Sequence, residues 1–233
     1  MPRAALWDLD GTLIDSEEFH WLAWRDTMAA EGVSISRGQF LATFGRRNDA
    51  IVGDLLGRET SAAEIERVGS TKEELYRQRI REAGIAPLPG AREWVERLHQ
   101  AGWRQAIASS APRRNVETIM EMLGFERYFA ALVSAEDVSR GKPDPEVFLT
   151  AASRLGVPPE SCVVLEDVAA GIEAARRAGM RSIGVSRAGA PLGADLDLAS
   201  LADLPPDAFD RLFAPREGGG QTGRGAGAPS LKF

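Results

Sequence analysis

Short apolar runs alternate with amphipathic stretches along most of the chain. Residues 3–7 form one such run, closed by Asp8. Residues 105–109, 131–134, 162–165 and 181–185 form four more. Runs this short, bounded by polar and glycine positions, read as strands buried on both faces. Between them, apolar residues recur near the 3.6 period at 90–101, 113–123, 146–155 and 169–178. Gly102, Gly124, Gly156 and Gly179 stop those stretches, which predicts helices. The alternation predicts an α/β fold, a doubly wound (Rossmann-like) parallel sheet with helices on both faces.

One segment departs from this rhythm. Residues 17–83 contain no convincing strand. Ser16 reads as an N-cap, with Glu17 and Glu18 in the first turn and Phe19, Leu22, Ala23 and Met28 at helical spacing. After Gly32, further helical pieces are expected to break at Gly45, Gly57 and Gly69. The block follows the first strand, so it reads as an inserted all-helical cap. The expected division is a core of residues 1–16 and 84–215, a cap of 17–83 and a tail of 216–233. That tail is glycine-rich and nearly free of large apolar residues, the composition of a disordered segment.

Composition narrows the functional classes. At roughly 150 residues per domain, 233 residues suit one core with one insert. A net charge of −6 argues against nucleic acid, which rewards clustered Lys and Arg. The lone Cys162 excludes an internal disulfide and a multi-cysteine metal site. No run of ~18 apolar residues exists to span a membrane, and the start lacks a signal peptide. A cytoplasmic monomer that meets a small molecule is the expectation.

In a doubly wound sheet, ligands bind beyond the carboxyl ends of the strands. The residues at those ends are Asp8, Asp10 and Thr12, Ser109 and Ser110, Lys142, and Glu166 with Asp167. Positions i and i+2 of an extended segment face one way, so Asp8 and Asp10 can share a site; alternatively they cap the turn at Gly11. Clustered carboxylates raise one another's pKa, and an oxygen-only cluster suits Mg²⁺. Lys142, in GKPDP, is either a solvated loop residue or a point charge for an anion. Ser109 and Ser110 either cap the following helix or donate to a phosphate.

Together, DLDGTL at 8–13, Ser109, Lys142 in GKPDP and Glu166-Asp167 in LEDVAAGIEAARRAGM resemble the four motifs of the haloacid dehalogenase-like superfamily. The resemblance spans about residues 3–200 and is greatest to the β-phosphoglucomutase-like phosphatases, which carry a helical cap. It implies a phosphoric monoester hydrolase, with Asp8 as nucleophile and Asp10 as general acid and base. It implies Mg²⁺ held by Asp8, the Asp10 backbone carbonyl, Glu166 and Asp167. Ser109 and Lys142 would hold the phosphoryl group. The implied substrate is a small phosphorylated metabolite, a sugar or polyol phosphate.

The cap residues are less specific. His20 and Trp24 lie one helical turn apart and share a face; the resemblance sets His20 beside Asp10. Gly45-Arg46-Arg47-Asn48 differs from the mutase form of this segment. Arg46 and Arg47 either clamp a second anionic group or pair with Asp49 and Asp54. Lys72 either faces the site or is an exposed helical lysine beside a Glu73/Arg77 pair. Thr12, Ser110 and Asn115 complete the substrate-binding set. The alternative activity is a β-phosphoglucomutase. A haloacid dehalogenase leaves Asp10 and Glu166-Asp167 unused, and a non-catalytic binding protein leaves Asp8 and Asp10 unexplained.

Overall fold

The computed structural model describes residues 2–187 and 189–214. Strand β1 (Ala4–Trp7) leads into four helices: α1 (Glu17–Ala30), α2 (Arg37–Leu41), α3 (Val52–Leu56) and α4 (Ala62–Ala83). Then come α5 (Ala91–Gln100), β2 (Arg104–Ala108), α6 (Arg113–Leu123), β3 (Ala131–Val133) and α7 (Glu146–Leu155). The chain continues through β4 (Cys162–Glu166), α8 (Ala169–Arg177), β5 (Arg181–Val185), β6 (Leu196–Leu198) and α9 (Ala208–Arg211). The six strands form one parallel sheet in the order β3-β2-β1-β4-β5-β6, a doubly wound α/β fold.

Side chains of a strand alternate between faces, and the core divides along that rule. Ala5, Trp7, Ile107, Val163 and Leu165 join a cluster with Trp94, Val95 and Leu98 of α5 and Val116, Ile119 and Leu123 of α6. Their strand neighbours Ala4, Leu6, Ala106, Ala108 and Val164 join Val147, Phe148 and Ala151 of α7 and Ala174 and Ala175 of α8. Burying a Val, Leu, Ile or Phe contributes about 1.5–3 kcal/mol each, so both faces stabilise the sheet. Trp7 and Gln105 bring polar groups into this core, and those groups are paired. The Trp7 indole donates to Gln105 Oε1 at 2.9 Å, and Gln105 Nε2 donates to the Val95 carbonyl at 2.9 Å. A third cluster lies within the helices that follow β1: Trp24, Met28, Phe40, Ile51, Val52, Leu55 and Val68.

Three local expectations are corrected. Gly69 does not break a helix, because α4 runs unbroken through it. Glycine in a helix costs about 1 kcal/mol against alanine. Here a Cβ would stand 3.4 Å from Asn48 Nδ2, an ordinary contact distance, and the helix carries the glycine at that small cost. Ser16 holds the N-cap position of α1 but makes no side-chain cap bond; its hydroxyl serves Asp10 instead. Strand β6 was not expected, since Leu196–Leu198 is three residues with Asp197 at its centre. Asp197 is used locally, accepting from the amides of Leu192 and Gly193. The segment 216–233 lies outside the described residues. No helix among the described residues is long and apolar enough to cross a membrane.

Candidate active site

The sheet order sets β1 between β2 and β4, so the carboxyl ends of these three strands adjoin. That places Asp8, Ser109 and Glu166-Asp167 on one rim. The Asp8 amide donates to the Leu165 carbonyl and the Ser109 amide to the Val133 carbonyl, both at 3.0 Å, which holds each strand end in register. Lys142 reaches the rim from the loop after β3. Its Nζ donates to Asp8 Oδ1 at 2.5 Å and to Glu166 Oε2 at 2.7 Å. All three side chains are under a tenth exposed.

One cation faces three carboxylates here. Oxygens of Asp8, Glu166 and Asp167 all lie within 4.8 Å of one another. Burial, and then the charge of Glu166, push the Asp8 carboxyl up to about 8 despite Lys142. Burial and the charges of Glu166 and Asp8 also hold Asp167 well above its ordinary range. Lys142 is pushed the other way, above the usual lysine value: burial opposes its charge, but Asp8 and Glu166 outweigh that. A donor set of oxygens only, with more negative charge than one lysine offsets, fits a hard divalent cation such as Mg²⁺.

Two glycines make room for this cluster. At Gly11 φ is +88°, and a Cβ would stand 2.0 Å from Asp167 Oδ2. In the first turn of α8, a Cβ on Gly171 would stand 2.1 Å from Glu166 Cδ. Gly171→Ala is therefore expected to overpack the site at a cost of about 1–3 kcal/mol. The urea midpoint measures this, and a midpoint equal to wild type contradicts it.

Asp10 is set apart electrostatically from Asp8. Its Oδ1 accepts from Ser16 Oγ at 2.5 Å and lies 3.3 Å from His20 Nε2 and 3.5 Å from the Tyr76 hydroxyl. Burial raises the Asp10 pKa. The His20 bond, the Ser16 bond and the Lys72 charge outweigh it, so the carboxyl sits below its ordinary value. His20 is in turn oriented from behind. Lys72 Nζ, a donor only, bonds His20 Nδ1 at 2.7 Å. Nδ1 therefore accepts, and Nε2 carries the N–H that meets Asp10. His20 stacks on Tyr76 with ring centroids 3.9 Å apart. Lys72 also bonds Glu73 Oε1 at 2.9 Å and lies 5.3 Å from the Trp24 ring.

These groups surround a cavity of about 50 Å³ between the rim and the helices after β1. Asp8, Asp10, His20, Trp24, Gly45, Arg46, Asn48, Lys72, Ser109, Ser110, Lys142, Glu166 and Asp167 all line it. Arg47, Thr12 and Asn115 do not. Arg47 donates to the carbonyls of Ala135 and Val138 at 2.8 and 2.7 Å and pairs with Asp49. Thr12 Oγ1 is buried without a hydrogen-bond partner. Asn115 is wholly buried between Arg77 and Glu73. Arg46 is tied to the Ala50 carbonyl and pairs with Asp54 at 3.0 Å.

Lys72 is 2 % exposed, and the expected Glu73/Arg77 pair gives way to Arg77–Glu74. Ser109 and Ser110 do not cap α6, whose N-cap position is Pro112; Ser109 Oγ accepts from the Ala111 amide at 3.0 Å. Sequence reasoning missed Tyr76 and the inward side chain of Glu73. The i,i+4 spacing of Lys72 and Tyr76 on one helix was the available signal for the first. A cavity of this size holds a few waters, far below the roughly 300 Å³ of a small-ligand site.

Comparison with known proteins is consistent across sequence and structure. Residues 2–179 match the model of the haloacid dehalogenase-like hydrolases. Hexitol phosphatase B of Escherichia coli is 37 % identical over 213 residues, covering 86 % of this chain and 93 % of that one. The β-phosphoglucomutase of Bacillus subtilis is 32 % identical over 218 residues, covering 87 % and 91 %. The crystal structure of β-phosphoglucomutase from Clostridium difficile superposes with a TM-score of 0.81 at 26 % identity, covering 91 % of this chain and 97 % of that one.

Proposed function

The chain belongs to the haloacid dehalogenase-like hydrolases, and on that premise we propose that it is a Mg²⁺-dependent phosphatase of a small sugar or polyol phosphate. The observation that carries this is the pairing of Asp8 and Asp10 in one cavity with opposite electrostatics. Asp8 adjoins a cation and a cluster of metal-type carboxylates; Asp10 adjoins a proton-carrying network. One carboxylate is set up to attack phosphorus, the other to move protons.

In the first half-reaction Asp8 Oδ forms a bond to phosphorus as the bond from phosphorus to the sugar oxygen breaks. Asp10 gives its proton to the leaving alkoxide. In the second half, Asp10 takes a proton from water, the water oxygen bonds to phosphorus, and the Asp8–phosphorus bond breaks. Asp10 starts below its ordinary pKa, ready as a base. A phosphate dianion entering beside it raises that value and so favours the protonated form that the first half needs. Ser109 and Lys142 hold the transferring group, and Lys142 offsets the repulsion between an anionic nucleophile and an anionic substrate. Asp8, Glu166, Asp167 and the Asp10 carbonyl are the groups proposed to hold Mg²⁺, which when bound supplies charge neutralisation and keeps Asp8 ionised. The relatives include a hexitol phosphatase, which supports a polyol phosphate as substrate.

A mutase is the second reading, supported by His20 on Asp10 and by the Bacillus subtilis relative. A panel of hexitol and hexose phosphates separates the two. Free phosphate is expected from several esters with Mg²⁺, falling to under about a hundredth with EDTA and returning on added Mg²⁺. Isomerisation of a hexose phosphate without phosphate release would establish the mutase instead, and no turnover of any ester would overturn both.

A further inference from the structure

Three successive side chains of the segment between α2 and α3 leave in different directions. Arg46 pairs with Asp54 at 3.0 Å, and Asn48 Nδ2 donates to Glu73 Oε1 at 2.8 Å, so both stay among the helices that follow β1. Arg47 crosses to the sheet side. Its Nη1 donates to the carbonyls of Ala135 and Val138 at 2.8 and 2.7 Å. Asp49 grips the other edge of the guanidinium, accepting from Nε at 3.2 Å and from Nη2 at 3.0 Å, which fixes its plane. The stem is engaged too. A Cβ on Gly141 would stand 3.1 Å from Arg47 Cδ, so the methylenes lie close against the residue before Lys142.

The loop that Arg47 reaches runs from β3 to α7 and carries Lys142. The core pins it from its own side. Asp137 accepts from the Ser134 amide at 2.9 Å, and Glu146 accepts from the amides of Ser139 and Arg140, both at 3.0 Å. The carbonyls of Ala135 and Val138 alternate with these pins, and Arg47 takes them from the opposite side. Gly45, Arg46 and Asn48 line the cavity on one side of this tie, and Lys142 and Ser110 line it on the other. A cleft of about 390 Å³ borders Arg47 there and shares Gly45, Ser110 and Lys142 with the cavity. The guanidinium thus joins two walls of the cavity at the end where Lys142 stands.

Resting on the phosphatase reading above, we infer that Arg47 is a positioning residue, which holds the wall of Gly45, Arg46 and Asn48 in register with the Lys142 loop and so sets where Lys142 meets the transferring phosphoryl group. Misplacing a reacting group by about 1 Å can cost about 10²-fold in rate. Arg47→Met keeps the stem against Gly141 and deletes the donors. With the full chain, Mg²⁺ and a hexitol 6-phosphate, it is expected to lower kcat by about tenfold or more and to move KM by less than about threefold, the pattern of an interaction lost in the transition state. In a Lys142→Met background the same change is expected to cost less than about threefold, because residues that act through one another are not additive. A loss of folded protein would instead lower kcat equally in both backgrounds. A wild-type kcat in Arg47→Met, with or without the raised KM of a residue that grips substrate, overturns the inference and leaves the phosphatase reading intact. So does a loss of equal size in both backgrounds. Absence of phosphate release by the wild-type chain strikes down that reading and the inference together.

Discussion

Asp8→Asn is expected to reduce hydrolysis of phosphate monoesters by at least about a thousandfold, the scale seen when a catalytic nucleophile is removed. A neutral amide cannot attack phosphorus, and no other group in the cavity combines a free carboxylate oxygen with contact to Lys142 and the acidic cluster. The fold should not suffer. Asp8 is a stressed carboxylate, pushed up to about 8 by burial and by Glu166, so an isosteric neutral side chain removes repulsion. Lys142 loses one partner but keeps Glu166 at 2.7 Å. The expected result is therefore an inactive protein with a thermal midpoint at or above that of wild type. Activity within tenfold of wild type would contradict the role given to Asp8. A lost midpoint together with lost activity would contradict the electrostatic account of its surroundings.

Asp10→Asn is expected to separate the two half-reactions. Losing a general acid and base costs about 10²–10⁴ in rate. An alkyl phosphate suffers at the first step, because its alkoxide needs a proton to leave. An aryl phosphate such as 4-nitrophenyl phosphate releases a stable phenolate without one, so its first step survives while hydrolysis of the phospho-enzyme lacks its base. The variant should give a burst of phenolate equal to the enzyme present, followed by slow turnover. Stopped-flow absorbance reads both phases. Proportional losses on alkyl and aryl esters, with no burst, would mean that Asp10 does not carry the proton in both directions.

The core was legible because its physics is local. A run such as 162–165 has nowhere to go but the middle of a parallel sheet, and the strand ends then bring Asp8, Ser109 and Glu166 to one rim. The helical segment after β1 was legible as helix and not as chemistry. Ser16 has the sequence context of an N-cap, yet its side chain is turned to donate to the buried Asp10 carboxylate and accepts from no amide of the helix start. Gly69 looked like a breaker, yet α4 runs through it, because about 1 kcal/mol is too little to end a helix held by the packing of its other residues. Arg46 and Arg47 were read with a clamp as one option. Their engagement by Asp54, Asp49 and main-chain carbonyls depends on how α3 and the loop after β3 fold back. Glu73, one position after Lys72, reads as one more exposed helical charge until α4 is docked against Asn115.

The central claim is that the phosphoryl group passes through Asp8. The most direct test is to mix Asp10→Asn with 4-nitrophenyl phosphate and Mg²⁺, quench in acid during the burst, and map the peptides by mass spectrometry. A single added phosphoryl group on the peptide from the first strand, localised to Asp8 and absent when Asp8 is also replaced by Asn, is the predicted result. A phosphoryl group on another residue, or turnover with none on the enzyme, would contradict it.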